Sequence, residues 1–419
     1  MGKTIIEKII QAHSHDEVSP GKIAWMDLDI RSARDFGGPN VAKNYEREYA
    51  GLPLADPART FFTFDLCAPA CTLRYADNQQ ACRDFALKHG VEVFDVDKGI
   101  GTHVLMEEGL APPAGTVVGT DSHMNILGAV GSFGQGMGDV DITFAFRTGR
   151  TWFEVPETVK VILKGTYRKP TTAKDLTLFL LKELGTKKIA LRAAEFYGPS
   201  VAGLSLAGRL TLASMITEMA GIIGFIPEGC DAARKELPDS GRPRGAISAP
   251  LTADEGASYV ETLEVDIQGL PPQVAAPFSP TNVKPVSALR GTKINSGFIG
   301  SCTNGRFEDL AEAAKILKGR MVRKDVMLKI VPATRRVYEE LLSQGVLADL
   351  FKSGAIIHNP GCGGCAEGHV GLTGKGEVQI STGNRNFAGK QGKGETYLAS
   401  PAVVAASCVL GQISGPEDV

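Results

Sequence analysis

The sequence predicts an α/β protein of several domains, and three observations carry that reading. Strand-like apolar runs alternate with helix-like ones along most of the chain. Several of those runs end in Gly, Asp or Asn, and 419 residues are too many for one ordinary core. The strand candidates are Phe61-Phe62-Thr63-Phe64, Val91-Glu92-Val93-Phe94, Thr116-Val117-Val118, Val326 to Val331, Ala355 to His358 and Glu377 to Ile380. Short apolar runs of this kind suit buried parallel strands, and α/β proteins build their sites at the carboxyl ends of such strands.

The helical pattern is clearest from Phe307 to Lys318, where apolar residues at 307, 310, 311, 314 and 317 share one face. At the N-terminus, Ile5, Ile6, Ile9 and Ile10 around Glu7 and Lys8 predict an amphipathic helix. That pattern lacks the continuous apolar core of a secretory signal. Glu228 to Ala249, rich in Gly, Pro and charge, reads as a surface excursion. The proline-rich run from Pro271 to Pro285 reads as an extended linker. Boundaries near 166 and 285 follow, giving domains 1–166, 167–285 and 286–419. There is no short internal repeat and no low-complexity tract.

Composition narrows the function. A hydrophobic content of 43% and a charged content of 22% are those of a soluble globular protein. The net charge of -2, with no basic run, gives no electrostatic footprint for nucleic acid or an anionic membrane. No stretch approaches the roughly 20 apolar residues of a membrane span. The expected location is the cytoplasm. In that reducing setting the eight cysteines, at 67, 71, 82, 230, 302, 362, 365 and 408, are metal ligands or buried apolar residues, not a disulfide framework.

The most specific pattern is Ser301-Cys302-Thr303-Asn304-Gly305-Arg306 together with Asn359-Pro360-Gly361-Cys362-Gly363-Gly364-Cys365. Cys302 is expected just past a buried strand and ahead of the 307 helix, whose unpaired N–H groups would favour a thiolate. Cys362 and Cys365, in a glycine-rich loop, can fold around one metal centre. Three thiolates would leave a cubane cluster with one open iron, whereas structural zinc and electron-transfer sites close with a fourth protein ligand. Spacing alone leaves open a CxxC that binds zinc or cycles redox state, with Cys302 merely buried.

Those segments, with Asn384-Arg385-Asn386-Phe387-Ala388-Gly389, Gly119-Thr120-Asp121-Ser122-His123 and Tyr397-Leu398-Ala399-Ser400-Pro401, resemble in content and order the large subunit of the isopropylmalate dehydratases and aconitases. The likeness runs from about Thr4 to Ile413. It implies three α/β domains packed around a [4Fe–4S] cluster on Cys302, Cys362 and Cys365. It also implies a hydro-lyase acting on a small hydroxy acid, without the swivel domain, so that a separate small swivelling subunit supplies the serine base.

By the same resemblance His123 is the acid, matched with Glu218, and Asp121 orients a water or the substrate. Arg385 is the carboxylate clamp, because a guanidinium gives two parallel hydrogen bonds. Asn304 and Asn384 fall near the cluster. The glycines from Gly131 to Gly138 fit a nucleotide loop poorly and predict close packing instead.

The chain also departs from the family pattern. Asp65-Leu66 stands where relatives carry Asp-His, and Gly101-Thr102-His103 where they carry Cys-His-Gln. Ser214 replaces an asparagine, Lys390 replaces the second clamp arginine, and Asp29 to Asp35 replaces a histidine-containing motif. His103 is the one residue placed to substitute for a missing histidine. Leucine transfers no proton and lysine makes no forked contact. The departures therefore predict a substrate other than isopropylmalate, such as homoaconitate, 2,3-dimethylmalate or a maleate-type acid. A cluster-based sensor and a zinc-bearing structural relative are the non-catalytic alternatives.

Overall fold

A computed structural model describes residues 2–238, 251–365 and 371–419. Three sheets in chain order form its framework. The first has the strand order Glu92–Phe94, Thr60–Thr63, Ile30–Arg34, Thr116–Gly119, Phe133–Gly136, all parallel. The second runs Ile223–Phe225, Ala193–Tyr197, Thr158–Lys164, Glu261–Asp266, again parallel. The third has seven strands, with Ser296–Ile299 flanked by Met327–Ile330 and Val378–Ser381. Helices cover the sheets, so central strands are buried on both faces and read as apolar runs.

Every strand proposed from the sequence lies on or within a residue or two of an observed one. The N-terminal helix Ile5–Ala12 buries its four isoleucines, and the Glu7 carboxylate accepts the Thr4 N–H at 2.9 Å and its hydroxyl at 2.6 Å. The segment 271–285 is not the extended linker expected. Gln273–Ala275 and Val283–Pro285 pair antiparallel, and the first of these strands also pairs with Glu395–Ala399 at the sheet edge. Buried Val274 and Ala275 pull it in, while the prolines stay at its flanks. The middle sheet begins at Thr158, a few residues ahead of the boundary placed near 166. In the run 228–249, Cys230–Arg234 is a short helix, and 239–250 lies outside the described residues.

The glycines near 131–138 allow close approach. A methyl on Gly134 would lie 2.0 Å from the Met124 carbonyl, and one on Gly136 2.3 Å from that of Asp121. This contact seats the turn that carries Asp121 and His123. Strand ends then do the positioning. Arg34 closes one strand of the first sheet, Asp65 follows the next, and Asp121 follows the third. Cys302 and Asn384 follow adjacent strands of the third sheet. The backbone joins the two groups: the Cys362 N–H donates to the Asp65 carbonyl at 3.0 Å, and the Ile100 N–H to that of Ala333 at 2.8 Å.

Candidate active site

Three thiols form the floor of the site. Cys302 sits in its own helical turn, Ser301–Asn304, ahead of the Phe307–Leu317 helix; the Arg306 N–H near that helix start goes to Asp309 instead, at 3.0 Å. The helix therefore does not favour a Cys302 thiolate as expected. Burial pushes the thiol up, and the Cys365, Asp121 and Glu218 charges add to it. Burial also raises Cys362 and Cys365, with the Lys390, Arg385 and Arg34 charges opposing it at Cys365.

Glycines make the second loop: Gly363 has φ +57°, and a methyl there would meet Val331 at 2.7 Å and Phe298 at 2.8 Å. Cys302 and Cys362 are buried and Cys365 is half-buried; Arg34 reaches Cys362, and the Lys390, Arg385 and Arg34 charges act on Cys365, a setting that fits an anionic metal–sulfur group.

Above the thiols lies a charge network that centres on Arg34. Its Nε and Nη2 donate to Asp65 Oδ1 at 2.9 and 2.5 Å, and Nη1 pairs with Asp121 Oδ1 at 2.9 Å. Nη2 also reaches Cys362 Sγ at 3.0 Å. The two carboxyl groups diverge. Burial drives Asp65 up to about 7, against Arg34. Asp121 meets the same burial, but Arg34, the His123 ring and the His123 N–H outweigh it and hold it below the usual range. Gly101 N–H donates to the other Asp65 oxygen at 2.8 Å.

His123 and Glu218 meet across two sheets, Nε2 to Oε1 at 3.1 Å, and Arg385 Nε donates to the same Oε1 at 2.7 Å. Burial would raise Glu218, yet His123 and Arg385 together keep it ionised below its ordinary value. Its buried Oε2 has no hydrogen-bond partner among the described residues. Asn384 Oδ1 accepts from Ser301 at 3.1 Å and from Cys302 Sγ at 3.5 Å, and its amide faces Ser214 at 3.4 Å. Cys302, Cys362, Cys365, Asp65, Asp121, His123, Glu218, Arg385 and Asn384 are thus linked by contacts or direct charge interactions, with Lys390 felt at Cys365.

Two residues sit differently from their expected roles. His103 is fully buried behind the thiols, and Nε2 lies 3.0 Å from the Cys302 carbonyl. A carbonyl only accepts, so Nε2 carries the proton and Nδ1 is bare. Burial, then Arg306, drives this ring down to about 3, so it braces the Cys302 backbone as a neutral group. It does not replace a proton-handling histidine. Asn304 turns away, donating to Asp309 at 2.9 Å and Thr211 at 3.3 Å.

Two residues escaped the sequence reading. Arg34 lies within the stretch 29–35 noted only as a departure. Buried Lys174 donates to the Thr382 and Gly383 carbonyls at 2.8 and 3.0 Å, and approaches Thr303 Oγ1 at 3.4 Å. A lysine in a helix's first turn gives no signal of this in sequence.

The model of the aconitase family (aconitate hydratase) matches residues 7–293 and 284–411. The chain belongs to the aconitase family. Within it, this chain is 40% identical over 420 residues to a probable 3-isopropylmalate dehydratase large subunit from Methanothermobacter thermautotrophicus, covering 99% of each. It is 39% identical over 423 residues to a homoaconitase large subunit from Thermus thermophilus, covering 100% of this chain and 98% of that one. Among solved structures, holo aconitase X from Thermococcus kodakaraensis shares the fold, with a TM-score of 0.53 at 15% identity over 85% of this chain and 84% of that one. No helix among the described residues of this aconitase-family chain is long and apolar enough to cross a membrane.

Proposed function

We propose that this chain is the large subunit of an iron–sulfur hydro-lyase of the 3-isopropylmalate dehydratase type, interconverting a small hydroxy di- or tricarboxylic acid and its unsaturated acid. One observation carries the reading. Three thiols, two buried and one half-buried, share a site with a paired His–Glu, a carboxylate pair and two guanidinium groups. Cys302, Cys362 and Cys365 would hold a [4Fe–4S] cluster, which when bound supplies a Lewis-acidic iron for substrate oxygens.

The protein's own groups do the rest. Dehydration removes a proton next to a carboxylate, breaks the C–O bond and releases the hydroxyl as water. His123, held by the Glu218 carboxylate, is the acid that protonates the departing hydroxyl. Asp121 accepts the His123 N–H at 3.0 Å and sets the turn. Arg385, its Nε tied to Glu218, offers its Nη edge to a substrate carboxylate. Lys390 adds a point charge on the same side. A separate small subunit, implied by the large-subunit names of both relatives, would supply the base.

Preference for another hydroxy acid is the second reading. Lysine at 390, where a forked contact is expected, and the near-equal likeness to a homoaconitase favour it. The test is anaerobic reconstitution with iron and sulfide, addition of the cognate small subunit, and a screen of 3-isopropylmalate, homoaconitate, dimethylmalate and maleate by ultraviolet absorbance of the unsaturated acids. Turnover should require both chains and all three cysteines. Colourless protein that holds zinc and turns over none of these acids overturns the proposal, and efficient use of 3-isopropylmalate sinks the second reading.

A further inference from the structure

Two cysteines outside the thiol floor lie in the loop between Thr60–Thr63 and the Leu73–His89 helix. Cys67 Sγ and Cys71 Sγ are 3.2 Å apart, and the Cys71 N–H donates to Cys67 Sγ at 3.0 Å. Neither is in a disulfide; Cys67 is buried and Cys71 exposed. Cys67 is also held in place. The Asp35 carboxylate accepts from the Leu66 and Cys67 N–H groups at 3.2 and 3.4 Å, and Gln79 donates to the Cys67 carbonyl at 2.8 Å. Thr72 Oγ1 accepts from Tyr75 at 3.3 Å and anchors the far end as a helix cap.

We propose that Cys67 and Cys71 form a reversible dithiol–disulfide pair, oxidised by low-molecular-weight disulfides, whose state is transmitted to the loop carrying Cys362. Exposed Cys71 is the attacking thiol. Its thiolate takes one sulfur of the external disulfide, giving a mixed disulfide and releasing one thiolate. Cys67 then attacks Cys71 Sγ, forming the internal bond and releasing the second thiolate. Two protein thiols are oxidised, one external disulfide is reduced to two thiols, and excess external thiol reverses the exchange. Burial pushes Cys67 up to about 11, which suits a resolving role over a first attack.

Transmission needs no large movement. Asp65, two residues from Cys67, accepts the Cys362 N–H through its carbonyl at 3.0 Å. A methyl on Gly361 would sit 3.0 Å from that carbonyl and 3.8 Å from Ala68 Cβ, so the loop being cross-linked packs directly on the Cys362 segment. Bringing the sulfurs from 3.2 Å to the ~2.05 Å of a disulfide pulls on this contact.

The experiment equilibrates the full chain with oxidised and reduced glutathione, blocks remaining thiols and maps the peptides. It then follows hydrogen–deuterium exchange in the segment containing Cys362. A linked Cys67–Cys71 peptide should accumulate and disappear on adding reduced glutathione, with faster exchange at Cys362 in the oxidised form. Cys67→Ser should trap glutathione on Cys71, and Cys71→Ser should abolish both the link and the exchange change. Because Cys71 is exposed, that variant tests the idea even if Cys67→Ser fails to fold. A stable glutathione adduct on Cys71 in the unmutated chain, an unmodified Cys71, or unchanged exchange at Cys362 would each overturn the proposal.

Discussion

At the scale of single residues, His123 and Arg34 separate chemistry from support. His123→Ala removes the proposed acid but leaves Glu218 tied to Arg385. The complex with its small subunit should keep its thermal midpoint and its cluster while kcat falls about 10²–10⁴-fold, read by single-wavelength assay. Arg34→Gln acts differently, because it strips the shared partner from Asp65 and Asp121 in a site where both are buried. Chemical denaturation should show a loss of about 3–5 kcal/mol, and a variant within 1 kcal/mol of the parent would show that the carboxylates need no such partner. The three cysteines, Asp121, His123 and Arg385 stand out because each sits in a patterned segment, whereas Glu218 enters only through the family resemblance. Arg34 does not. Ile30-Arg31-Ser32-Ala33-Arg34 carries two arginines, yet all five residues are buried, since the arginines meet their partners inside the fold. Charge partners distant in sequence leave no local trace.

At the scale of elements, backbone geometry decides where the thiols point. Gly363 adopts a left-handed φ of +57° with Phe298 and Val331 pressed against its face, so Gly363→Ala meets both backbone strain and overlap. It should cost about 1–3 kcal/mol by denaturation and lower iron and sulfide content after reconstitution. Full loading with unchanged stability would mean that the loop has slack. The glycines themselves were legible, and so were the strands with dense apolar runs. What sequence could not supply was the pairing of a short, proline-flanked segment. Gln273–Ala275 is a strand because Glu395–Ala399 offers it a ladder more than a hundred residues later. Nor could the placement of His103 be read. Nearness in sequence to a patterned position suggested catalysis, and only the fold turns the ring onto the Cys302 carbonyl.

At the scale of the whole molecule, the site is assembled from parts carried on different sheets, and the joint is itself polar. The Ala173–Glu183 helix ties the middle of the chain to the third sheet: Lys174 holds the Thr382 and Gly383 carbonyls, and Asp175 accepts the Gln273 N–H at 2.8 Å. Burial acts on these neighbours in opposite directions. It pushes Lys174 down to about 8, against the Glu218 and Cys302 charges. It pushes Asp175 up to about 6, against hydrogen bonds from Gln273 and Thr172. Each shift has a signed consequence for folding. Between about 8 and the ordinary lysine value, the unfolded chain binds the Lys174 proton and the folded chain does not, so this residue makes stability rise with pH there. Between the ordinary aspartate value and about 6, the folded chain keeps the Asp175 proton and the unfolded chain has lost it, so stability falls as pH rises. Lys174→Met should therefore remove an alkaline gain of up to about 3 kcal/mol. It should also cost about 1–3 kcal/mol at neutral pH, by leaving two buried carbonyls without a donor. Asp175→Asn should flatten the acid side alone. Urea unfolding of the cluster-free chain across the pH range checks both. If the deficit of Lys174→Met does not widen above about pH 8, the ammonium is not confined at this joint in the way its burial requires.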